Sequence, residues 1–227
     1  MKGDNQIFDQ WPEKYDEWFG TPIGSLVKKC ESELILDLMK PKPGDRMLDG
    51  GCGTGIFTLD LLSSGASIIG LDLSLPMLLR ANKKLKGYPF KALQGNLLSL
   101  PFKDHVFDNS VSITALEFIR EGKKAVDELF RVTKKGGAVV VATLNSLSPW
   151  ALRRIEAGKK GHPIFRQAIF RSPDELRALS PLEGTFRTAI HFQKEDPPDK
   201  AVGREHEGQT KGWQTGAFIA IRWETPR

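Results

Sequence analysis

The chain has 227 residues, 40% of them apolar and 27% charged, and a formal net charge of +5. That length and balance suit one α/β domain with insertions. No apolar run approaches the roughly 18 residues that span a bilayer, and the two cysteines, Cys30 and Cys52, are too few for a disulfide framework or a structural zinc site.

From the amino end, residues 1–10 are polar and hold no apolar signal-peptide core, which points to a cytoplasmic protein. Phe8, Trp11, Tyr15 and Trp18 are spaced for one helical face, and Pro12 lets a helix begin about there. Thr21-Pro22 is a cap and first-turn pair. It opens a helix over 22–39 with the apolar stripe Leu26, Val27, Leu34, Ile35, Leu38 and Met39, ended by Pro41, Pro43 and Gly44. Strands and helices then alternate. The expected elements are a strand at 46–49, a helix at 54–63, a strand at 67–72 and a helix from about 75 to 86 capped by Ser74. A short strand at 90–94, a strand at 106–113, a helix at 121–134 and a β-branched strand at 138–143 follow. Units of this size imply a parallel, doubly wound sheet with right-handed crossovers.

After Leu144 the rhythm changes. Residues 145–184 lean helical, with Ser172-Pro173-Asp174-Glu175 as a helix start. Two late strands are expected at 185–192 and 217–223, and residues 193–216, rich in charge, Pro and Gly, read as a mobile loop. No internal repeat or second domain is evident. The expected organisation is one domain over 1–227: a helical cap at 1–40, a core at 41–144, a helical insertion at 145–184 and final strands at 185–227. The insertion carries a charge excess. Six basic side chains (Arg153, Arg154, Lys159, Lys160, Arg166, Arg171) stand against Glu156 alone between 145 and 172. Such an excess attracts an anionic substrate or is simply a solvated face. Without aromatic interleaving or a long Lys/Arg run, it does not compel nucleic acid.

The densest signal is Met47-Leu48-Asp49-Gly50-Gly51-Cys52-Gly53-Thr54-Gly55, followed by a second apolar run ending at Asp72. Alternating glycines let the backbone turn tightly and approach a ligand, and the helix behind them offers free N–H groups. Asp72 is placed to accept from ribose hydroxyls. No Lys or Arg occurs from Met47 to Leu79, which removes a phosphate-binding P-loop. A dinucleotide loop would put Ile56 or Thr58 at its third small position, where neither suits close helix–strand contact. Asp49 opposes a pyrophosphate and suits a cationic ammonium group.

Leu48-Asp49-x-Gly51-x-Gly53-x-Gly55 resembles motif I of the class I methyltransferases that use S-adenosylmethionine. Leu71-Asp72-Leu73-Ser74-x-x-Met77-Leu78, Gly95-Asn96-Leu97-Leu98-x-Leu100-Pro101-Phe102, Phe107-Asp108 and Glu128-Leu129-x-Arg131-Val132-x-Lys134-x-Gly136-Gly137 resemble the family's later motifs, in order. The likeness covers about residues 7–144 and is closest to the small-molecule branch that includes the quinone-biosynthesis methyltransferases. It implies a Rossmann-like, doubly wound seven-stranded sheet, mostly parallel with an antiparallel last strand and helices on both faces.

The resemblance also implies roles. The loop of Gly50, Gly51, Cys52, Gly53 and Gly55 would approach the methionine half of the cofactor, with Cys52 a small filler. Asp49 would lie near the ammonium, Asp72 would take the ribose hydroxyls, and Leu73 and Met77 would pack on adenine. Asn96 stands where the family usually has Asp, so its contact with the adenine amino group lacks charge assistance. Leu97 would offer its backbone N–H to the ring. Phe8-Asp9 and Tyr15-Asp16-x-Trp18 resemble the family's N-terminal lid, with Tyr15 a partner for the cofactor carboxylate; Pro12 and Glu13 depart from its small residues. Thr114 and Glu117 follow the fourth strand, near the reactive methyl, which makes Glu117 a candidate base or acceptor anchor. No metal is implied. Of four scattered histidines (His105, His162, His191, His206), His162 is the best placed. Residues 1–40 and 145–184 would cover the site and choose the acceptor, a small molecule that the basic residues suggest is anionic. Methylation of RNA or protein through residues 153–171, or cofactor binding without catalysis, are the alternatives.

Overall fold

The structure, a computed structural model, describes residues 7–227; residues 1–6 of the polar N-terminal stretch lie outside the described residues. Five parallel strands, β1 (Arg46–Gly50), β2 (Ser67–Asp72), β3 (Phe90–Gln94), β4 (Asn109–Ile113) and β5 (Ala138–Leu144), are joined by β6 (Thr185–Ala189) and β7 (Phe218–Glu224). The order is β3-β2-β1-β4-β5-β7-β6. Only β7 runs against its neighbours, pairing antiparallel with both β5 and β6, as expected for the last strand. The order reverses between β1 and β4, which leaves a crevice at their carboxyl ends, the general ligand position in such sheets.

Both faces of the sheet are covered, so its strands carry near-continuous apolar runs. Side chains alternate between two cores. Met47, Val140, Ala142, Phe218 and Ala220 face α2 (Pro22–Met39), α3 (Thr58–Leu62) and α8 (Pro198–Lys211). Leu48, Val139, Val141, Ile221 and Trp223 face α5 (Gly122–Val132) and α7 (Pro173–Arg177). Between them, α4 (Leu75–Lys84) flanks β2 and β3, while α1 (Pro12–Phe19) and α6 (Pro149–Lys159) lie at the crevice end. Helix starts follow from local chemistry: Thr21, Ser74, Ser148 and Ser172 each accept a backbone N–H from three residues on, with Pro in the first turn. Each cap contributes about 1 kcal/mol.

The expectation of a mobile loop over 193–216 is corrected: those residues contain α8. Its buried face is made of Ala201, Glu205 and Gly208, and a Cβ on Gly208 would meet the His191 ring at 2.2 Å. Small residues there let the helix sit close to β6, and they leave no large apolar stripe to reveal it. Three boundaries also move. The helix after the glycine loop begins only at Thr58, because the chain is still turning at Gly55 (φ +74°). The fourth strand begins at Asn109, since the N–H groups of Val106 and Phe107 go to the Val132 carbonyl instead of a strand partner. The sixth strand ends at Ala189, where Ile190 adopts φ +66°.

Glu128 and Arg131, on the last turns of α5, clamp residues 95–104 against the sheet. Glu128 Oε2 accepts from the Leu100 N–H at 2.6 Å, and Arg131 donates to the carbonyls of Leu100 and Phe102 and to Asp104 and Glu128. Arg131→Ala is expected to cost about 2–3 kcal/mol, the scale of hydrogen bonds to charged groups. Melting should then fall by roughly 4–12 °C; calorimetry showing an unchanged transition would remove the clamp.

Candidate functional site

The floor of the crevice is the β1–α3 turn. Gly51 (φ +82°) and Gly53 (φ +53°) occupy the left-handed region, which L residues enter at a cost. A Cβ on Gly51 would lie 2.4 Å from that of Ala115, beyond the end of β4, whereas one on Gly53 would meet nothing within 4 Å. Gly51 is therefore tight against protein, and Gly53 faces open space. The Gly51 and Cys52 N–H groups donate to the Leu71 carbonyl, and the Cys52 sulfur fills the space beside Gly70. Burial pushes the Cys52 thiol well up, so it is an inert filler at neutral pH.

Two acids frame this floor. Asp49 is 2% exposed. Its Oδ2 accepts from the Thr58 hydroxyl at 2.6 Å, and its Oδ1 is buried without a partner. Burial pushes Asp49 up to about 7. Asp72, at the end of β2, accepts the N–H of Gly53 through Oδ2 and that of Ser74 through Oδ1, each at 2.8 Å. These bonds fix the carboxylate toward the loop, and desolvation still leaves it raised. Beside it, Leu73 is 41% exposed, while Met77 is buried in the first turn of α4. Asn96 forms a side-chain turn: its Oδ1 accepts from the Leu98 N–H at 2.9 Å, which leaves its amide hydrogens outward. The Leu97 side chain is core, packed where a Gly50 Cβ would be.

Helix α1 closes over the crevice from above. Asp16 accepts hydrogen bonds from Thr54, Arg80 and Lys84, tying α1 to the glycine loop and α4. Desolvation raises Asp16, but these bonds prevail and hold it below the usual carboxylate range. Asp9 accepts from the Ser74 hydroxyl, Phe8 packs edge-on to Phe118 at 4.7 Å, and Trp11 lies 6.2 Å from the His162 ring. His162, expected to be the best-placed histidine, stacks on Phe165 at the rim. His105 is a turn residue (φ +57°), and His191 packs under α8. Among the described residues no cluster of metal-ligating groups forms.

The far end of the crevice is charged and buried. Thr114 holds φ +48°, a strained conformation for a β-branched residue, and the half-buried Tyr15 packs edge-on to Phe19 on α1. Glu117 lies in a short 3-10 turn, Leu116–Phe118. Its Oε1 accepts from the Leu144 N–H at 2.6 Å, its Oε2 has no partner, and burial pushes it up to about 7. Two residues join it that the sequence reading overlooked. Glu31 of α2 is 4% exposed with an unpartnered Oε2, and Arg154 of α6 has an unpartnered Nη1. The signal for Glu31 was an acid inside an apolar stripe, four residues from both Val27 and Ile35. In the sequence Arg154 is one charge of a basic segment, with nothing to set it apart. That segment is divided between surface and interior. Arg153 pairs with Glu195, Lys159 with Glu156, and Arg171 donates to the carbonyls of Leu116 and Ile119.

A family model described as a methyltransferase domain matches residues 48–141. An uncharacterized protein of Methanocaldococcus jannaschii is 30% identical over 221 residues, 96% of this chain and 98% of its own. A malonyl-acyl-carrier-protein O-methyltransferase of Pectobacterium atrosepticum is 33% identical over 187 residues, 73% of each chain. A demethylmenaquinone methyltransferase of Renibacterium salmoninarum is 38% identical over 136 residues, 60% of this chain and 56% of that one. Among solved structures, an S-adenosylmethionine-dependent methyltransferase of Thermotoga maritima, described as a possible histamine N-methyltransferase, superposes with a TM-score of 0.74 at 23% identity, over 96% of this chain and 98% of its own. Phosphoethanolamine N-methyltransferase 2 of Haemonchus contortus, bound to S-adenosyl-L-methionine, gives 0.67 at 17% identity, over 96% and 57%. Identities this low show a shared fold, and the sequence relatives carry the relationship further. With its glycine loop, its two acids and these relatives, the chain belongs to the class I S-adenosylmethionine-dependent methyltransferases, in the small-molecule branch.

Proposed function

We propose that the crevice holds S-adenosylmethionine between Asp49 and Asp72 and presents it to a small-molecule acceptor entering beside Glu117. The observation that carries this is Asp49 Oδ1, a buried carboxyl oxygen with no partner, in β1 just before a glycine turn where a Cβ on Gly53 would meet nothing within 4 Å. A buried polar atom left unpaired costs roughly 1–3 kcal/mol, and the cofactor's ammonium group is a partner of the right charge. Each Asp72 oxygen accepts one backbone N–H and has a lone pair left for a ribose hydroxyl. Leu73 is exposed where adenine would cover it, and the outward amide of Asn96 offers a donor at the same edge. Tyr15 and Thr114 would close the methionine end. The bound cofactor supplies a methyl group activated on a sulfonium, so the protein's tasks are alignment and exclusion of water. Helix α1, tied down through Asp16, serves the second task.

The alternative of RNA or protein docking through residues 153–171 is weakened at Arg171, which is engaged with backbone carbonyls inside the protein, while Arg153 and Lys159 stay at the surface in exposed ion pairs.

Two expected outcomes check the cofactor site. Asp72→Ala should weaken S-adenosylmethionine binding about a hundredfold, two charge-assisted hydrogen bonds at about 1.5 kcal/mol each. Calorimetry giving an affinity equal to wild type would remove Asp72 from the site. The second outcome concerns pH. With Asp49 pushed up to about 7, the carboxyl must lose its proton before it can pair with an ammonium. Cofactor affinity should therefore rise from about pH 5.5 to about 7.5 and then level off, and Asp49→Asn should abolish that rise. A flat wild-type profile would contradict the ammonium contact.

A further inference from the structure

Strand β3 forms one edge of the sheet. It bonds to β2 at alternate residues: the Ile68 N–H goes to the Pro89 carbonyl, and the Gly95 N–H to that of Asp72. In a parallel ladder of that register β2 engages the backbone of Lys91 and Leu93, and the backbone groups of Ala92 and Gln94 point away from the sheet. The connection from β3 to β4 contains no helix, and Tyr88 and Leu93 are 47% and 36% exposed. On α4, which packs on β3, Leu75 and Leu79 lie one turn apart and are 50% and 60% exposed. Lys91 is the kind of residue that guards an edge strand, but a guarded edge has no need of exposed leucines around it.

The surroundings are uniformly basic. No acidic residue occurs from Leu73 to Lys103. Asp16 takes Arg80 and Lys84, whereas Lys83, Lys86 and Lys91 are exposed and enter no ion pair among the described residues. Arg46, equally exposed, joins Lys91 and Tyr88 in lining a cleft of about 430 Å³. A second copy of the chain would bring the same lysines against these, and like charges across a strand pair are unfavourable. RNA matches the charge but offers neither apolar side chains for the leucines nor a peptide backbone for the open edge. An extended, acidic protein segment offers all three.

We infer that β3 is a docking edge for another protein, which adds an acidic segment to the sheet as a further strand. Its backbone pairs with Ala92 and Gln94, its apolar side chains cover Leu79 and Leu93, and its carboxylates meet Lys83, Lys86 and Lys91. The inference stands independently of the cofactor site.

The test is an NMR titration of the isotope-labelled protein with a capped peptide of repeating Glu-Glu-Val-Val, a period that puts acid and apolar groups on both faces of a strand. A Lys-Lys-Val-Val peptide and a single-stranded oligouridine RNA form separate arms. The acidic peptide should bind saturably, shift the Ala92 and Gln94 amides most, slow their hydrogen exchange and lose affinity as salt rises. The other two should not bind at this edge. Ala92→Pro removes one outward N–H and spares the β2 ladder, so acidic-peptide affinity should fall roughly tenfold or more. Lys83→Glu combined with Lys91→Glu leaves the backbone alone and should reverse the preference toward the lysine peptide. Both variants should bind S-adenosylhomocysteine as wild type does. No saturable binding of the acidic peptide, binding that leaves Ala92 and Gln94 unshifted, a preference that survives the charge reversal, or tighter binding of the RNA on the same lysines would each overturn the inference. So would a dimer in sedimentation that Ala92→Pro dissociates, because the occupant would then be a second copy.

Discussion

A carboxyl group with one unpaired oxygen, Asp49, is buried where the strand order reverses, and the arrangement around it follows from that fact. The strand that carries it must be central, because only there is a side chain dry on both sides. The chain must turn at once beyond it, and Gly51 and Gly53 permit the turn without side chains in the way. The Thr58 hydroxyl, at the start of α3, occupies the other Asp49 oxygen, and Oδ1 is left without a partner. Burial without a partner is unfavourable, and a fold keeps such a group when a ligand completes it. The proposed ammonium contact gives that cost a purpose.

The same logic extends outward. Asp72 is fixed by two backbone N–H groups, Asp16 draws Arg80, Lys84 and Thr54 together beneath α1, and Arg131 and Glu128 fasten the segment that carries Asn96. Each acid positions backbone or a helix at the cavity edge. Glu31 and Glu117 differ because each keeps a buried carboxyl oxygen without a partner. Satisfied acids shape the crevice, and unsatisfied ones face what enters it.

Legibility in the sequence followed the range of the interactions. The glycine loop, Asp72, the alternating strands and the caps at Thr21, Ser74 and Ser172 are local patterns, set within a few residues, and they could be read directly. Helix α8 could not, because Ala201 and Gly208 are small for close packing and leave no apolar period. Arg154 was hidden for another reason: its neighbours Arg153 and Lys159 are surface ion pairs of little energetic weight, and composition cannot separate a buried arginine from exposed ones. Glu31 was visible in principle as an acid at a stripe position, but its partners come from α6 and the turn after β4, which only the fold brings near. The cofactor half of the site was thus largely legible, and the acceptor half emerged from tertiary structure.

A crystal structure with S-adenosylhomocysteine bound tests the central claim most directly. The account predicts both ribose hydroxyls within hydrogen-bond reach of Asp72, the amino group toward Asp49 Oδ1, and the sulfur turned toward Glu117. A ligand seated elsewhere, or one whose ribose does not touch Asp72 and whose amino group leaves Asp49 unpaired, would contradict it.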